Sequence, residues 1–351
     1  MRTPVGVAMA ALVALAAALA FAPRETPPLA ATALHVERQH LNTLAQSRAG
    51  LVSAGELGMI LISPDQGKTW QRASLDRDRQ ALINQISFAP DGLTGMAVGH
   101  EGWILRSEDG GWSWKELAFM EKNGDPLMSV ARLPSGQWLA VGAFGRALRS
   151  DTQGEHWQAL ALPVESVEDK HLNRIVGSAD GQRWLIVGER GLLLNSTDAG
   201  SSWQPVEPFY NGSFFNAAAL PDGGWLVYGM RGNVFRGRDG QAAWSKSALP
   251  APASFFGHAL TVDGRVLLVG QGGLIASSSD GGASFSLARA QGSATLTDLL
   301  LLADGRGWIS SDAGLQPYPP PVTAPATAAP RTPALPTAPA EPSAAASGDS
   351  R

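Results

Sequence analysis

The chain has 351 residues, of which 44% are hydrophobic and 17% charged, with a formal net charge of −4 and no cysteine. That length allows one large domain or two modest ones, and the charge balance leaves no basic footprint for nucleic acid. The missing cysteine excludes disulfides, thiolate metal sites, cysteine nucleophiles and an acylated lipoprotein anchor. Abundant glycine, 40 residues, suits many turns and short strands better than a helical bundle.

Arg2 precedes an apolar, alanine-rich run over residues 5–22 that closes on Ala20, Phe21 and Ala22. A basic start, an apolar stretch and a small-residue exit make an export signal, and eighteen apolar residues are also enough for an uncleaved anchor. Residues 1–30 are therefore expected to be a signal or signal anchor, with the body of the chain periplasmic or otherwise exported.

Related units follow one another from there. The second glycine of a G-x-x-G pair falls at Gly58, Gly102, Gly145, Gly191, Gly232 and Gly273, with Gly314 in a truncated seventh copy, so the repeat advances by 41 to 46 residues. A period of about 40 to 50 residues built from short strands predicts an all-β fold, a seven-bladed β-propeller of four-stranded antiparallel blades. In the second unit the turn signals predict strands over residues 82–88, 95–99, 102–107 and 113–117. The seventh unit is short of a strand. Residues 31–38, which have no sheet of their own, are expected to become its outer strand and so close the ring over residues 31–317. From Tyr318 to the end the sequence is rich in proline and alanine, which predicts a disordered or extended tail.

The third hairpin of each unit carries S-x-D-x-G-x-x-W, intact as Ser63, Asp65, Gly67, Trp70, as Ser107, Asp109, Gly111, Trp114, and as Ser196, Asp198, Gly200, Trp203. The sixth copy has Phe285 for tryptophan, the third has Thr152 for aspartate, and the fifth has Gln241 for glycine. A carboxylate that accepts turn amides, a glycine at positive φ and a large ring between blades make this hairpin chemistry. Together with the G-x-x-G spacing, these boxes resemble the Asp-box, or bacterial neuraminidase, repeat of the photosystem II assembly and stability factor family. The resemblance covers residues 34–317 and implies a non-enzymatic propeller outside the cytoplasmic face of its membrane, holding a membrane-protein subunit during photosystem assembly.

Sialidases share the box and need a tyrosine nucleophile with acidic and arginine partners. The chain has only Tyr210, Tyr228 and Tyr318, and Tyr228 sits where other units have Val98, Val141, Val187 and Val269. The six histidines show no metal-ligand spacing, and no phosphate loop or nucleophile elbow occurs. No catalytic residue, metal or cofactor is expected; a sialidase-like hydrolase and a purely structural envelope module are the alternatives. Partner binding is expected from a monomer, on the face carrying the G-x-x-G turns and the blade connections. There the repeat-variable residues include His100, Glu101, Phe144, Glu189, Arg190, Met230, Arg231 and Gln271. Phe209, Tyr210 and Phe255, in aromatic connections on that face, predict an apolar patch, rimmed by the charged connections from Asp76 and Glu165. The expected partner is a membrane protein or its extracytoplasmic segment. Aligning the innermost strands sets Asn42, Asn84, Ser129, Asn173, Asn216 and Asp298 in one polar ring, with Gly257 as its gap, lining an axial channel.

Overall fold

Each repeat alternates apolar and polar residues over four to six positions and then meets a glycine or an Asp-Gly turn, so it folds into short strands joined by hairpins. The middle strands are the exception: 95–99, 138–142, 184–188, 225–229 and 266–270 are buried at every residue. A strand that is apolar on both faces needs a neighbour on both sides, and stacking blades around an axis supplies it.

The computed structural model describes residues 3–22, 34–122, 124–165, 167–238 and 243–319. It divides into two units, Met1–His35 and Val36–Arg351. The first contains the helix Thr3–Ala20. Its 18 residues rise about 27 Å, short of the ~30 Å hydrocarbon core, and no described helix is long and apolar enough to cross a membrane.

The second unit is the expected seven-bladed propeller. Its innermost strands, Leu41–Gln46, Ile83–Phe88, Leu127–Arg132, Leu172–Gly177, Phe214–Ala219, Phe255–Leu260 and Leu296–Leu301, neighbour one another in chain order, and the last returns to the first. Five sheets have four antiparallel strands. The second blade gains a fifth, because Ser74–Leu75, in the connection from the first blade, pairs parallel with its outer strand Ser113–Ala118. In that blade the third strand is shorter than expected: His100–Gly102 form a 3-10 turn, and the strand is Ile104–Ser107.

The expected closure by an N-terminal strand is not formed. Val36–Arg38 make a 3-10 turn, and the last sheet has three strands, the third being Gln316–Tyr318. Tyr318 therefore belongs to the last blade rather than to the tail; the expected tail beyond it, from residue 320, and residues 31–33 lie outside the described residues. The Leu315 N–H to Val36 C=O bond, 3.0 Å, and the packing of Val36 against the Leu315 cluster tie the N-terminal turn to that blade. Side chains close the ring instead. The Leu44 N–H donates to Asp298 Oδ2 at 3.0 Å, Thr297 Oγ1 donates to the Leu41 carbonyl at 2.6 Å, and the Trp308 indole N–H donates to the Gln66 carbonyl at 3.0 Å. Trp70 meets Trp308 edge to face, 5.8 Å between centroids, above a buried cluster of Leu41, Leu44, Leu61 and Leu315.

The boxes are wedges between blades. In the first, Ser63 Oγ donates to Asp65 Oδ1 and accepts the Gly67 N–H at 2.7 Å, while Asp65 accepts both the N–H and the hydroxyl of Thr69. These bonds, led by the Thr69 amide, hold the Asp65 carboxyl at about 2. A Cβ on Gly67 would fall on the Trp308 indole, and one on Gly200 would lie 2.7 Å from Leu133. Each described box thus presses on the preceding blade, counted around the ring.

Candidate functional site

Both glycines of G-x-x-G follow from crowding on one face of the ring. The first has extended backbone, but a Cβ there would strike the carbonyl that precedes the innermost strand of its own blade, as with Gly99 and Leu82. The second has positive φ, between 62° and 73° at the six complete turns, and in three of them its N–H reaches the incoming connection of the next blade. Gly145 donates to Lys170 at 2.7 Å and Gly191 to Gly212 at 2.7 Å. With both ends pinned, the residue before the second glycine is left at the tip in the left-handed region: Leu57, Glu101, Phe144, Arg190 and Arg231 have φ of 52° to 56°. A side chain there costs about 1 kcal/mol relative to glycine.

The structure brings Glu101, Phe144, Arg190 and Arg231 to equivalent tips on successive blades, each preceded by its paired residue, and sets Gln271 at the base of the next. Leu57 and Phe144 are 64% and 58% exposed. Phe144 stands edge-on to His171, 5.0 Å between ring centroids, and its N–H donates to His171 Nδ1 at 3.2 Å. Glu189 is occupied, accepting the His171 N–H at 3.1 Å. The exposed Arg190 and Arg231 guanidinium groups have no hydrogen bond or ion pair among the described residues. His100 and Met230 are half-buried.

The expected aromatic patch is mostly turned inward, Phe209 and Tyr210 being half-buried. Phe255 is 0% exposed, because it opens an innermost strand and points into the core. Phe209 stacks on Trp244 at 5.1 Å, and Tyr210 lies 5.2 Å from Phe214 and 5.3 Å from Phe235, so the connection folds back as a lid over the blade. Burial of such rings outweighs leaving them in water by about 2 kcal/mol each. Phe215 and Phe256, half-buried on adjacent innermost strands, stack at 5.2 Å. The charged connection from Asp76 is likewise turned to structural use. Arg79 grips Glu116 through two bonds of 2.8 and 2.7 Å, which hold the Glu116 carboxyl below its usual range, and Asp76 accepts the Glu116 N–H.

The polar ring is two rings. Every innermost strand has a bulge or irregularity between its first and third residues, as at Leu41/Thr43 and Leu296/Asp298. Asn42, Asn84 and Asn173 are second residues, and their amides donate to the first carbonyl of the next blade: Ile83 at 3.1 Å, Leu127 at 2.8 Å and Phe214 at 2.7 Å. Ser129, Asn216, Gly257 and Asp298 are third residues, alongside Thr43, Gln85 and Arg174. Gln85, Ser129 and Asp298 accept the N–H of Val130, Ile175 and Leu44, the fourth residue of the following strand. A bulge orphans one carbonyl and one amide per blade, and these side chains satisfy them across the blade boundary.

Within this channel stands a pair that the sequence reading did not bring together. Tyr228, 0% exposed, meets His258 Nδ1 at 2.8 Å. Burial pushes the Tyr228 hydroxyl up and the His258 imidazole down to about 4, and nearby Arg174 lowers the imidazole further. Burial raises Asp298 against the opposing pull of Arg174. The signal was present: Tyr228 breaks a valine column, and His258 breaks a column of Leu44, Ile86, Val130, Ile175, Ala217 and Leu299. The sequence reading also missed the residue before the box tryptophan. Thr69, Ser113, Ser202 and Ser284 all bond the box aspartate.

Comparison with known proteins bears out the family resemblance. Residues 31–159 match the family model described as photosynthesis system II assembly factor YCF48. The photosystem II assembly lipoprotein Ycf48 of Synechococcus sp. (strain CC9902) is 31% identical over 106 residues, 30% of this chain and 32% of that protein. The match therefore spans about a third of the length of this curated relative. A solved structure of YCF48 bound to D1 peptide superposes with a TM-score of 0.64 at 21% identity, over 83% of this chain and 96% of that one. The GH74 xyloglucanase of Xanthomonas campestris reaches 0.65 at 16% identity, over 80% of this chain and 52% of that one. At such identities the structural likeness carries the fold, on which unlike functions are built.

Proposed function

We propose that this chain is an exported, non-catalytic propeller that binds an extracytoplasmic segment of a membrane protein, as an assembly factor of the photosystem II type. The observation that carries the reading is the row of tips on the G-x-x-G face, where exposed Phe144 is followed on the next two blades by the unpaired guanidinium groups of Arg190 and Arg231. An apolar anchor beside cations without intramolecular partners fits an extended segment with an apolar and an acidic side chain. The family match over residues 31–159 and the D1 peptide bound by a relative of the same fold point to the same kind of partner. Export is supported by the apolar helix Thr3–Ala20 with Arg2 before it.

Against hydrolysis of the sialidase type stand the inward packing of Tyr210 and the raised, fully buried hydroxyl of Tyr228, which disfavour a tyrosinate nucleophile. Fluorescence anisotropy with a labelled D1 peptide tests the reading. Phe144→Ala with Arg190→Gln and Arg231→Gln weakens binding at least about tenfold, since each lost anchor is worth about 1 kcal/mol or more. Unchanged binding by the triple variant, or turnover of a fluorogenic sialoside by the unaltered protein, overturns it.

A further inference from the structure

In three blades the third residue of the innermost strand supplies an acceptor to the next blade, as Ser129 does for the Ile175 N–H at 3.0 Å. Arg174 occupies that place in the fourth blade, and a guanidinium accepts nothing. The Ala217 N–H it would have served is taken instead by Asn216 Oδ1 at 2.8 Å. The backbone there is satisfied without Arg174, which itself has no hydrogen bond or ion pair among the described residues. It is half-buried and lines a cavity of about 420 Å³. Asp298 is close enough to feel it but is not paired with it, its oxygens accepting the Leu44 and Leu299 amides. A half-buried guanidinium with no hydrogen-bonded carboxylate is a ready partner for an anion entering the cavity.

We propose that the axial cavity binds a small organic carboxylate, paired through two parallel N–H bonds with the Arg174 guanidinium. Gln85 also lines the cavity and adds a second donor: its Oε1 accepts the Val130 N–H at 2.8 Å, while its amide nitrogen has no bond among the described residues. Phe88, Pro90 and Trp184 give the cavity an apolar wall for the body of the ligand. A monoanion fits better than phosphate, because the second arginine of the cavity, Arg132, is held by Gln153 at 2.7 Å and lies over Trp138, and Asp298 opposes further negative charge. The planar fork of one guanidinium matches one carboxylate. This site is separate from the peptide-binding rim and stands whether or not that reading holds.

Titration calorimetry at constant ionic strength tests it, with benzoate, acetate, benzamide and inorganic phosphate as probes, alongside NMR of the arginine Nε–H groups. Benzoate binds saturably and shifts the Arg174 Nε–H signal, and neutral benzamide binds at least about tenfold more weakly, as loss of a charge-assisted pair requires. Arg174→Gln abolishes saturable binding, whereas Arg190→Gln at the rim leaves it unchanged. If Arg174→Gln does not fold, the benzoate–benzamide contrast and the Arg174 signal decide on the unaltered protein. Failure of benzoate and acetate to saturate, equal binding of benzamide, tighter binding of phosphate, or full binding by a folded Arg174→Gln each overturns the proposal.

Discussion

His258 makes the stability of the propeller depend on pH in a window of its own. The imidazole has an ordinary value of 6.5 and is pushed down to about 4 by burial, with Arg174 adding to the effect. Between those values the unfolded chain takes up a proton that the folded ring refuses, so stability is lost as the pH falls from 6.5 towards 4. The proton linkage between pH 7 and pH 5 amounts to at most about 2 kcal/mol, an upper bound because the ring borders the axial cavity and its water. For a domain of this size that is a fall in Tm of about 4 °C. The other groups around the ring do not mimic it. Tyr228 stays protonated; Asp298, whose carboxyl burial raises, favours the folded state as it protonates; and the box carboxylates Asp65 and Asp198, held at about 2, lose their contribution only as the pH falls below 3.8. The assay is urea unfolding at pH 7 and pH 5 for the native sequence and for His258→Gln, which keeps an acceptor for the Tyr228 hydroxyl. The variant should lose about 2 kcal/mol less between the two pH values than the native protein. Parallel losses in both proteins, or a native protein more stable at pH 5 relative to the variant, would refute the burial argument.

Two further substitutions separate packing from local geometry. Gly191 and Gly272 both have positive φ, 73° and 66°, but a Cβ on Gly191 would meet the Tyr210 carbonyl, whereas one on Gly272 comes no closer than 3.3 Å to the Arg289 guanidinium, the end of a long side chain. Alanine at 191 should cost about 3 kcal/mol and at 272 about 1; equal losses by urea unfolding would show that φ alone sets the price. In the fourth box, Ser196 is buried and accepts the Gly200 N–H at 2.9 Å, while Ser202 is exposed. Ser196→Ala should destabilise by about 2 kcal/mol and Ser202→Ala by under about 1, in the same assay; the reverse order would contradict the wedge role of the buried hydroxyl.

The blades were legible because their signals are local: a glycine that only a turn tolerates and a box whose side chains bond backbone within four residues. What failed to read was everything that depends on a neighbouring blade. Asn42 and Asp298 look alike in an alignment, but the bulge shifts the register by one residue, so one donates to a carbonyl and the other accepts an amide. Phe255 and Phe209 carry no mark in the sequence that says whether a connection opens outward or folds over its blade; the proximity of Trp244 decides. Closure depends on neighbours in the same way. A missing strand suggested a donated strand, whereas the Trp70 and Trp308 rings and the axial bonds of Asp298 and Thr297 already hold the last blade to the first.

This division between local and neighbour-dependent chemistry also bears on function. The box serine, aspartate and glycine and both glycines of the turn are consumed by hairpin bonds and by close approach between blades, so a box says nothing about glycoside cleavage. Two kinds of position escape that duty: the left-handed tips on the outer face, and the third residue of each innermost strand, where the acceptor is dispensable if a neighbour replaces it. Arg190 and Arg231 occupy the first kind and Arg174 the second, all without partners among the described residues. The half-buried guanidinium in the channel keeps less of its hydration than the exposed ones at the rim. The rim arginines therefore give up more hydration when a partner arrives than half-buried Arg174 gives up to an anion in the channel. The two sites should accordingly differ in order of filling, the axial one first.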